Sequence, residues 1–303
     1  MDTQSGQDSI LALRTTWIRA SDFFRLTKPR LLSLVLFTTM VGFCAATPGP
    51  IPFLPLLHTL AGTALIAGGA TALNMYRERK LDALMKRTAL RPLASGRLPP
   101  GQALLFALVL STGGLAYLFA WVNHLTGLLA ALVFACYLFL YTPLKTKTWL
   151  STFVGAIPGA LPAVMGWTAA CGAISSGAWI LFAIVFFWQL PHFCSIGWLH
   201  RDDYVNAGIK VISVADRDGR RTGRLTVFFV SVLFGFTLLP FLKDFAGRAY
   251  LAGAVTLGFI LLGCAIHFSR RRNARTARRL FIASALYLPV LLILLLLDKS
   301  VAR

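Results

Sequence analysis

Nine stretches of the chain run without a Lys, Arg, Asp or Glu for seventeen to twenty-four residues, near 31–47, 52–75, 101–120, 125–141, 151–171, 178–199, 226–242, 250–269 and 280–297. About twenty such residues cross a hydrocarbon core as a helix. A soluble fold would have to bury these helices on every side, whereas surface helices keep a polar stripe. Breakers separate several of the runs: TPGP at 47–50, RLPPG at 97–101 and CGAISSG at 171–177. The pattern predicts an all-α polytopic membrane protein. Its nine-helix domain occupies 31–297, between a tail at 1–30 and a short tail at 298–303.

Composition agrees: 57% of the 303 residues are hydrophobic and 14% charged, against about 25% charged in soluble domains. The net charge of +19 would suit a nucleic-acid binder, but its placement excludes that class. In the alternating nine-span arrangement, 26 of the 30 Lys and Arg fall on one side, in the N-terminal tail and around 76–100, 142–150, 200–225 and 270–279. The other side has Lys243, Arg248, Lys299 and Arg303. The asymmetry places the N-terminus and the long loops 76–100 and 200–225 in the cytoplasm and the C-terminus in the periplasm. Anionic lipid headgroups are a sufficient partner for much of this charge. Five cysteines sit singly in apolar runs with no CxxC spacing and read as small buried side chains. The N-terminus has no cleavable-signal pattern.

Lipid attraction does not explain the carboxylates. Nine of the eleven lie on the basic side. The one glutamate, Glu78, lies within the polar stretch Asn74–Arg97. Asn74, Glu78 and Asp82 recur every four residues and share one face of a helix. Arg77, Arg87, Arg91 and Arg97 are close in sequence, and Asp202, Asp203, Asp216, Asp218 and Lys210 follow the sixth run. Oxygen ligands beside guanidinium groups suit a Mg²⁺-bound diphosphate. A solvated ion-pair network would use the same residue types.

Five stretches carry a resemblance: Asn74–Arg97, LTKPR at 26–30, YTPLKTKTWLSTFVGAIPGALPAVMGW at 141–167, FWQLPHF at 187–193 and HRDDYVNAGIK at 200–210. Together they resemble the UbiA-type intramembrane prenyltransferases, and within them the protohaem IX farnesyltransferase (haem O synthase) branch. The resemblance implies nine helices around a cytoplasm-facing cavity in a bacterial inner membrane. It implies transfer of farnesyl from farnesyl diphosphate to the 2-vinyl group of haem B, with water addition and diphosphate release, giving haem O. Mg²⁺ is the implied cofactor, and a haem A synthase or terminal oxidase assembly the implied partner.

Matched to the family's motifs, Asn74, Glu78 and Asp82 are the first metal-binding set, with glutamate at a position the family fills with aspartate. Asp203, and with it Asp202, is expected at the second metal or diphosphate site, although the two are adjacent here rather than four apart. Arg87, Arg91 and Lys210 are expected to contact diphosphate. Tyr141, Lys145 and Lys147 form a patch for haem propionates or diphosphate, or a positive-inside anchor. His192, inside a span, is functional by default; it ligates haem iron, holds propionates, packs on the porphyrin or makes a structural hydrogen bond. Pro191 is expected to open the helix beside it. Phe153, Trp167, Phe187, Trp188 and Phe193 are expected to shield an allylic cation. Transfer to a quinone precursor or chlorophyllide, and a non-catalytic haem-binding or transport role, are the competing readings.

Overall fold

A computed structural model describes residues 20–299; the tail expectations for 1–19 and 300–303 lie outside the described residues. Within them, nine helices are long and apolar enough to cross a bilayer: α1 Pro29–Ala46, α2 Phe53–Ala83, α3 Pro100–Trp121, α4 His124–Leu144, α5 Ser151–Cys171, α6 Ser176–Leu199, α7 Arg220–Leu242, α8 Arg248–Arg271 and α9 Ala274–Leu297. No strand forms among the described residues. The chain is a multi-pass membrane protein.

The bundle is built around α5 and α6, the two most buried spans. Helix α1 and α4 lean on α5, α7 and α9 lean on α6, and α2 pairs with α3. Small residues permit the closest crossing. A Cβ on Gly42 would overlap the Ala163 carbonyl oxygen, and one on Gly166 would overlap that of Thr39, so α1 and α5 meet backbone to backbone. Gly155 lies beneath the Tyr141 ring and Gly159 against the Gln189 amide, close packing of the kind their small size implies. Buried Thr38 and Thr39 donate their hydroxyls to Val35 O, and Thr59 to Pro55 O. The apolar interior therefore strands none of these three hydroxyls. Phe53, Leu105, Phe139 and Leu297 point outward, as a lipid-facing surface requires.

Three helices outrun their apolar segments. Helix α2 continues to Ala83 rather than ending near 75, α7 begins at Arg220 rather than 226, and α9 at Ala274 rather than 280. Hydropathy marks the depth of hydrocarbon, whereas a helix continues until its backbone bonds find other partners. At α2 that happens just beyond Asp82, where Thr88 Oγ1 donates to Asp82 O at 2.8 Å. The loop expected to begin at 76 thus begins at Leu84, and Glu78 and Asp82 stand on a helix. Pro191 does not open α6, which is unbroken from Ser176 to Leu199. Helix α4 contains a π-helical segment, Cys136–Tyr141, that the pattern did not announce.

The two ends of the bundle differ. At one, the 84–99 segment, the α4–α5 link and the short helices Arg201–Asn206 and Ile212–Ala215 fold over the mouth of the helices. At the other, short links are tied down: Asn123 Nδ2 donates to Thr168 O at 2.9 Å, Tyr250 N donates to Asp298 Oδ2 at 2.7 Å, and Lys299 Nζ donates to the Cys44 and Thr47 carbonyls ending α1.

Candidate active site

The continuous α2 helix puts Asn74, Glu78 and Asp82 on one inward face. All three are buried, at 0%, 8% and 2% exposure. Carboxylates so far from water need compensation, and each member of the row has its own cation. Lys28 Nζ donates to Asn74 Oδ1 at 2.7 Å, and Lys145 Nζ to Glu78 Oε1 at 2.7 Å. A single nitrogen of Arg91 spans both Asp82 oxygens at 2.8 Å. Asn74 Nδ2 donates to Thr142 Oγ1 at 3.2 Å, which orients the amide so that its oxygen faces the lysine.

Lys28, Glu78, Asp82, Arg91 and Lys145 share a cavity of about 140 Å³, room for on the order of ten waters; Asn74, fully buried, is not part of its wall and meets it only through Lys28. The charged wall of the cavity is Lys28, Glu78, Asp82, Arg87, Arg91 and Lys145; its apolar wall includes Phe193, Ile196 and Ile212. Four basic residues face two carboxylates. Burial above all, and then the Arg91 charge, pulls the Lys28 ammonium down to about 7. Burial alone would also lower Lys145, but the Tyr141 and Glu78 oxygens beside it outweigh that and hold it above the ordinary lysine value. The cavity is short of negative charge, and an oxyanion would supply it.

Local backbone features aim the cations. Lys28 caps α1 with φ 48°, in the left-handed region that non-glycine residues seldom occupy. Pro29 behind it disfavours the ordinary helical conformation. The π segment of α4 presents Tyr141 and, beyond it, Lys145, whose Nζ lies 4.4 Å from the centre of the Tyr141 ring. Tyr137 stacks on Tyr141 at 5.6 Å, and Arg77 Nη1 donates to Leu138 O at 2.7 Å, fastening α2 to the same segment.

The other expected site residues are placed less uniformly. Asp203 lies beside the mouth, where its Oδ1 accepts from Lys86 N at 3.3 Å and joins the two loops, but it is not a wall of the cavity. Asp202 and Lys210 are exposed; Lys210 contributes only its backbone N–H, to Lys145 O at 2.7 Å. Asp216 serves the start of α7, accepting from Thr222 N and Oγ1, and Asp218 pairs with Arg220 at the surface. Arg97 is drawn away to Asp22, which it holds through two nitrogens at 3.0 and 3.1 Å.

His192 is outside the cavity. Its ring lies between Trp188 and Phe281, with centroids 5.1 and 5.0 Å away, and its Nδ1 meets Ser284 Oγ at 2.8 Å. It is a contact between α6 and α9. Of the five aromatics expected to shield a cation, only Phe193 lines the charged cavity. Sequence reasoning missed Lys28, Thr142 and Tyr204 as neighbours of the site. A lysine placed directly before a proline-started span was the available signal for Lys28.

The donor set suits a hard divalent cation. Asn74, Glu78 and Asp82 offer oxygen ligands in a row; Lys28, Lys145 and Arg91 hold Asn74 Oδ1, Glu78 Oε1 and the Asp82 oxygens here and would give way to the ion. No cluster of three His, Cys, Asp or Glu occurs among the described residues, so a metal here would complete its shell with ligand oxygens or water, as Mg²⁺ commonly does.

The UbiA prenyltransferase family model matches residues 35–288. A protein named "Protoheme IX farnesyltransferase" from Solibacter usitatus is 45% identical over 287 residues, which cover 92% of this chain and 98% of that protein. The solved structure of a digeranylgeranylglyceryl phosphate synthase matches with a TM-score of 0.78 at 14% identity, covering 92% of this chain and 98% of that one. A UbiA homolog from Archaeoglobus fulgidus bound to GPP and Mg²⁺ gives 0.62 at 16%, covering 90% and 99%. The two structures share this fold; the sequence matches run through the helices that build the charged cavity, and by them the chain belongs to the UbiA prenyltransferase family.

Proposed function

We propose that the protein transfers the farnesyl group of farnesyl diphosphate to the 2-vinyl group of haem B, with water addition, to give haem O. The observation that carries this reading is the buried row Asn74, Glu78 and Asp82 facing Lys28, Lys145 and Arg91 at the mouth of an apolar bundle. An isoprenyl diphosphate has matching halves, one polyanionic and one hydrocarbon. The 45% identical relative named for this reaction supports the choice of acceptor.

In this account Asn74, Glu78 and Asp82 hold Mg²⁺, with Asp203 at the loop junction as a further carboxylate. When bound, the ion supplies neutralisation of the diphosphate and of charge developing on its leaving oxygen. Arg87, Arg91, Lys28 and Lys145 bind the phosphoryl oxygens and fix the direction in which farnesyl C1 points. The C1–O bond breaks with its electron pair leaving on diphosphate. The terminal vinyl carbon then bonds to C1, and the positive charge left on the carbon beside the porphyrin is quenched by water, which loses a proton. Tyr141 and Phe193 line the path and limit access of water before the new carbon–carbon bond forms.

The protein is placed in a bacterial inner membrane with the cavity facing the cytoplasm, because the basic residues gather at that end. Crowding of the charged groups at one rim, rather than at mid-bilayer, favours catalysis over transport. The test is acceptor choice. Purified protein with farnesyl diphosphate and Mg²⁺ is given haem B or a phenolic quinone precursor, and products are weighed by mass spectrometry. Farnesyl and water gained by haem B alone supports the reading; farnesyl gained only by the phenol overturns it.

A further inference from the structure

Four buried side-chain atoms have no hydrogen-bond partner among the described residues: Thr63 Oγ1, Trp167 Nε1, Ser213 Oγ and Tyr287 OH. Of these residues, Ser213 alone lines the charged cavity. It is 1% exposed, and its Oγ rests against Gly197, reached by water neither from outside nor from the cavity; a turn about its Cα–Cβ bond is what brings the hydroxyl to an acceptor in the cavity.

The reason it is left over is local. Buried serines on long helices return their hydroxyls to the preceding turn, as Ser195 does to His192 O and Ser284 to Phe281 O. Ser213 is the second residue of the four-residue helix Ile212–Ala215, and Val211 before it is extended, with φ −106° and ψ 163°. There is no preceding helical turn to accept the proton. The hydroxyl is also accommodated rather than squeezed out. It sits over Gly197 of α6, where any Cβ would overlap Ser213 Oγ. A chain that leaves a buried donor unmatched in a cavity already rich in cations has an unfilled need for an acceptor.

We propose that Ser213 Oγ donates a hydrogen bond to a phosphoryl oxygen of the bound isoprenyl diphosphate, making it a substrate-binding residue on the wall formed by Ile212 and Gly197. This rests on the diphosphate reading above. A neutral donor suits this place: it adds a directed bond without adding to the excess positive charge. Bound diphosphate then bridges the α2 end and the Ile212–Ala215 segment, which are far apart in sequence.

The probe is inorganic pyrophosphate with Mg²⁺, titrated calorimetrically into wild type and S213A, alongside the thermal stability of each protein without ligand. Without ligand, S213A is expected to be as stable as wild type or more so, because it removes an unmatched hydroxyl. Its pyrophosphate affinity is expected to fall about tenfold or more, the effect of one hydrogen bond to a charged acceptor. A merely structural serine would not move the two readouts in these directions. Unchanged affinity overturns the proposal, and so does a loss of stability in ligand-free S213A. If S213A does not fold, S213C keeps the volume with a weak donor and is judged by the same affinity comparison. Wild type that fails to bind pyrophosphate overturns the diphosphate reading itself, a result distinct from wild type and variant binding equally.

Discussion

Replacing Lys145 by methionine keeps most of the side-chain volume and removes one charge. The partner left behind is Glu78, 2.7 Å away, and the two side chains are 16% and 10% exposed. Breaking a buried ion pair by deleting one member costs about 3–5 kcal/mol, because the other charge stays buried without compensation. Water in the cavity and the nearby Lys28 reduce this, so the lower end applies, about 3 kcal/mol. The double variant K145M/E78Q removes both charges and restores most of the loss, since a buried pair as a unit contributes little against neutral groups. The coupling between the positions is then about 2–3 kcal/mol, at the top of the range for residues in contact. Equilibrium unfolding of the four proteins in mixed micelles, without metal, measures it. Loss in K145M with recovery in the double variant is the expected pattern. K145M as stable as wild type, or strictly additive effects, would refute the assignment of Lys145 as the counterion of Glu78.

Three further outcomes follow from the geometry. R91K keeps a charge able to meet Asp82, which Arg91 holds through one nitrogen, but removes the remaining guanidinium N–H donors left for phosphoryl oxygens, and kcat/KM for farnesyl diphosphate should fall about tenfold or more; a steady-state assay showing no change would contradict the role of Arg91 in diphosphate binding. G166A places a methyl against the Thr39 carbonyl and should lower stability by about 1–3 kcal/mol through separation of α1 and α5, read as a drop in Tm that is absent in G113A, where a Cβ meets nothing. H192A loses its Ser284 bond and the flanking stacks, at about 2 kcal/mol of stability. Its pyrophosphate affinity should match wild type, and a weakened affinity would move His192 back into the diphosphate site.

Much of the architecture is legible because a bilayer demands it: each span must be apolar and long enough, and the nine runs are where the helices lie. The helical row Asn74, Glu78, Asp82 is legible for the same geometric reason, through its period of four. What hydropathy does not convey is where a helix ends, and α2 continues eight residues past its apolar run, to Ala83, carrying Glu78 and Asp82 with it. Pairings between distant segments are also invisible in the linear order. Arg97 resembles a member of the basic cluster until Asp22, 75 residues away, takes its guanidinium. His192 resembles a buried functional histidine until Ser284, 92 residues away, takes its Nδ1. Lys28 depends on a left-handed backbone that a KPR triplet does not announce. Ser213 depends on the absence of a preceding turn, which becomes visible only when the Ile212–Ala215 segment is seen to be four residues long.

The central claim is tested most directly by single-turnover conversion of haem B to haem O, followed by mass spectrometry, in wild type, in D82N and in wild type with EDTA. Asp82 is the carboxylate shared between the oxygen row and Arg91, so the account predicts haem O and stoichiometric diphosphate from wild type. It predicts loss of about 10²-fold or more in D82N and in the chelated enzyme, with all three samples folded. Haem O formed at the wild-type rate by D82N or in EDTA would contradict the assignment of this cavity as the site of diphosphate release.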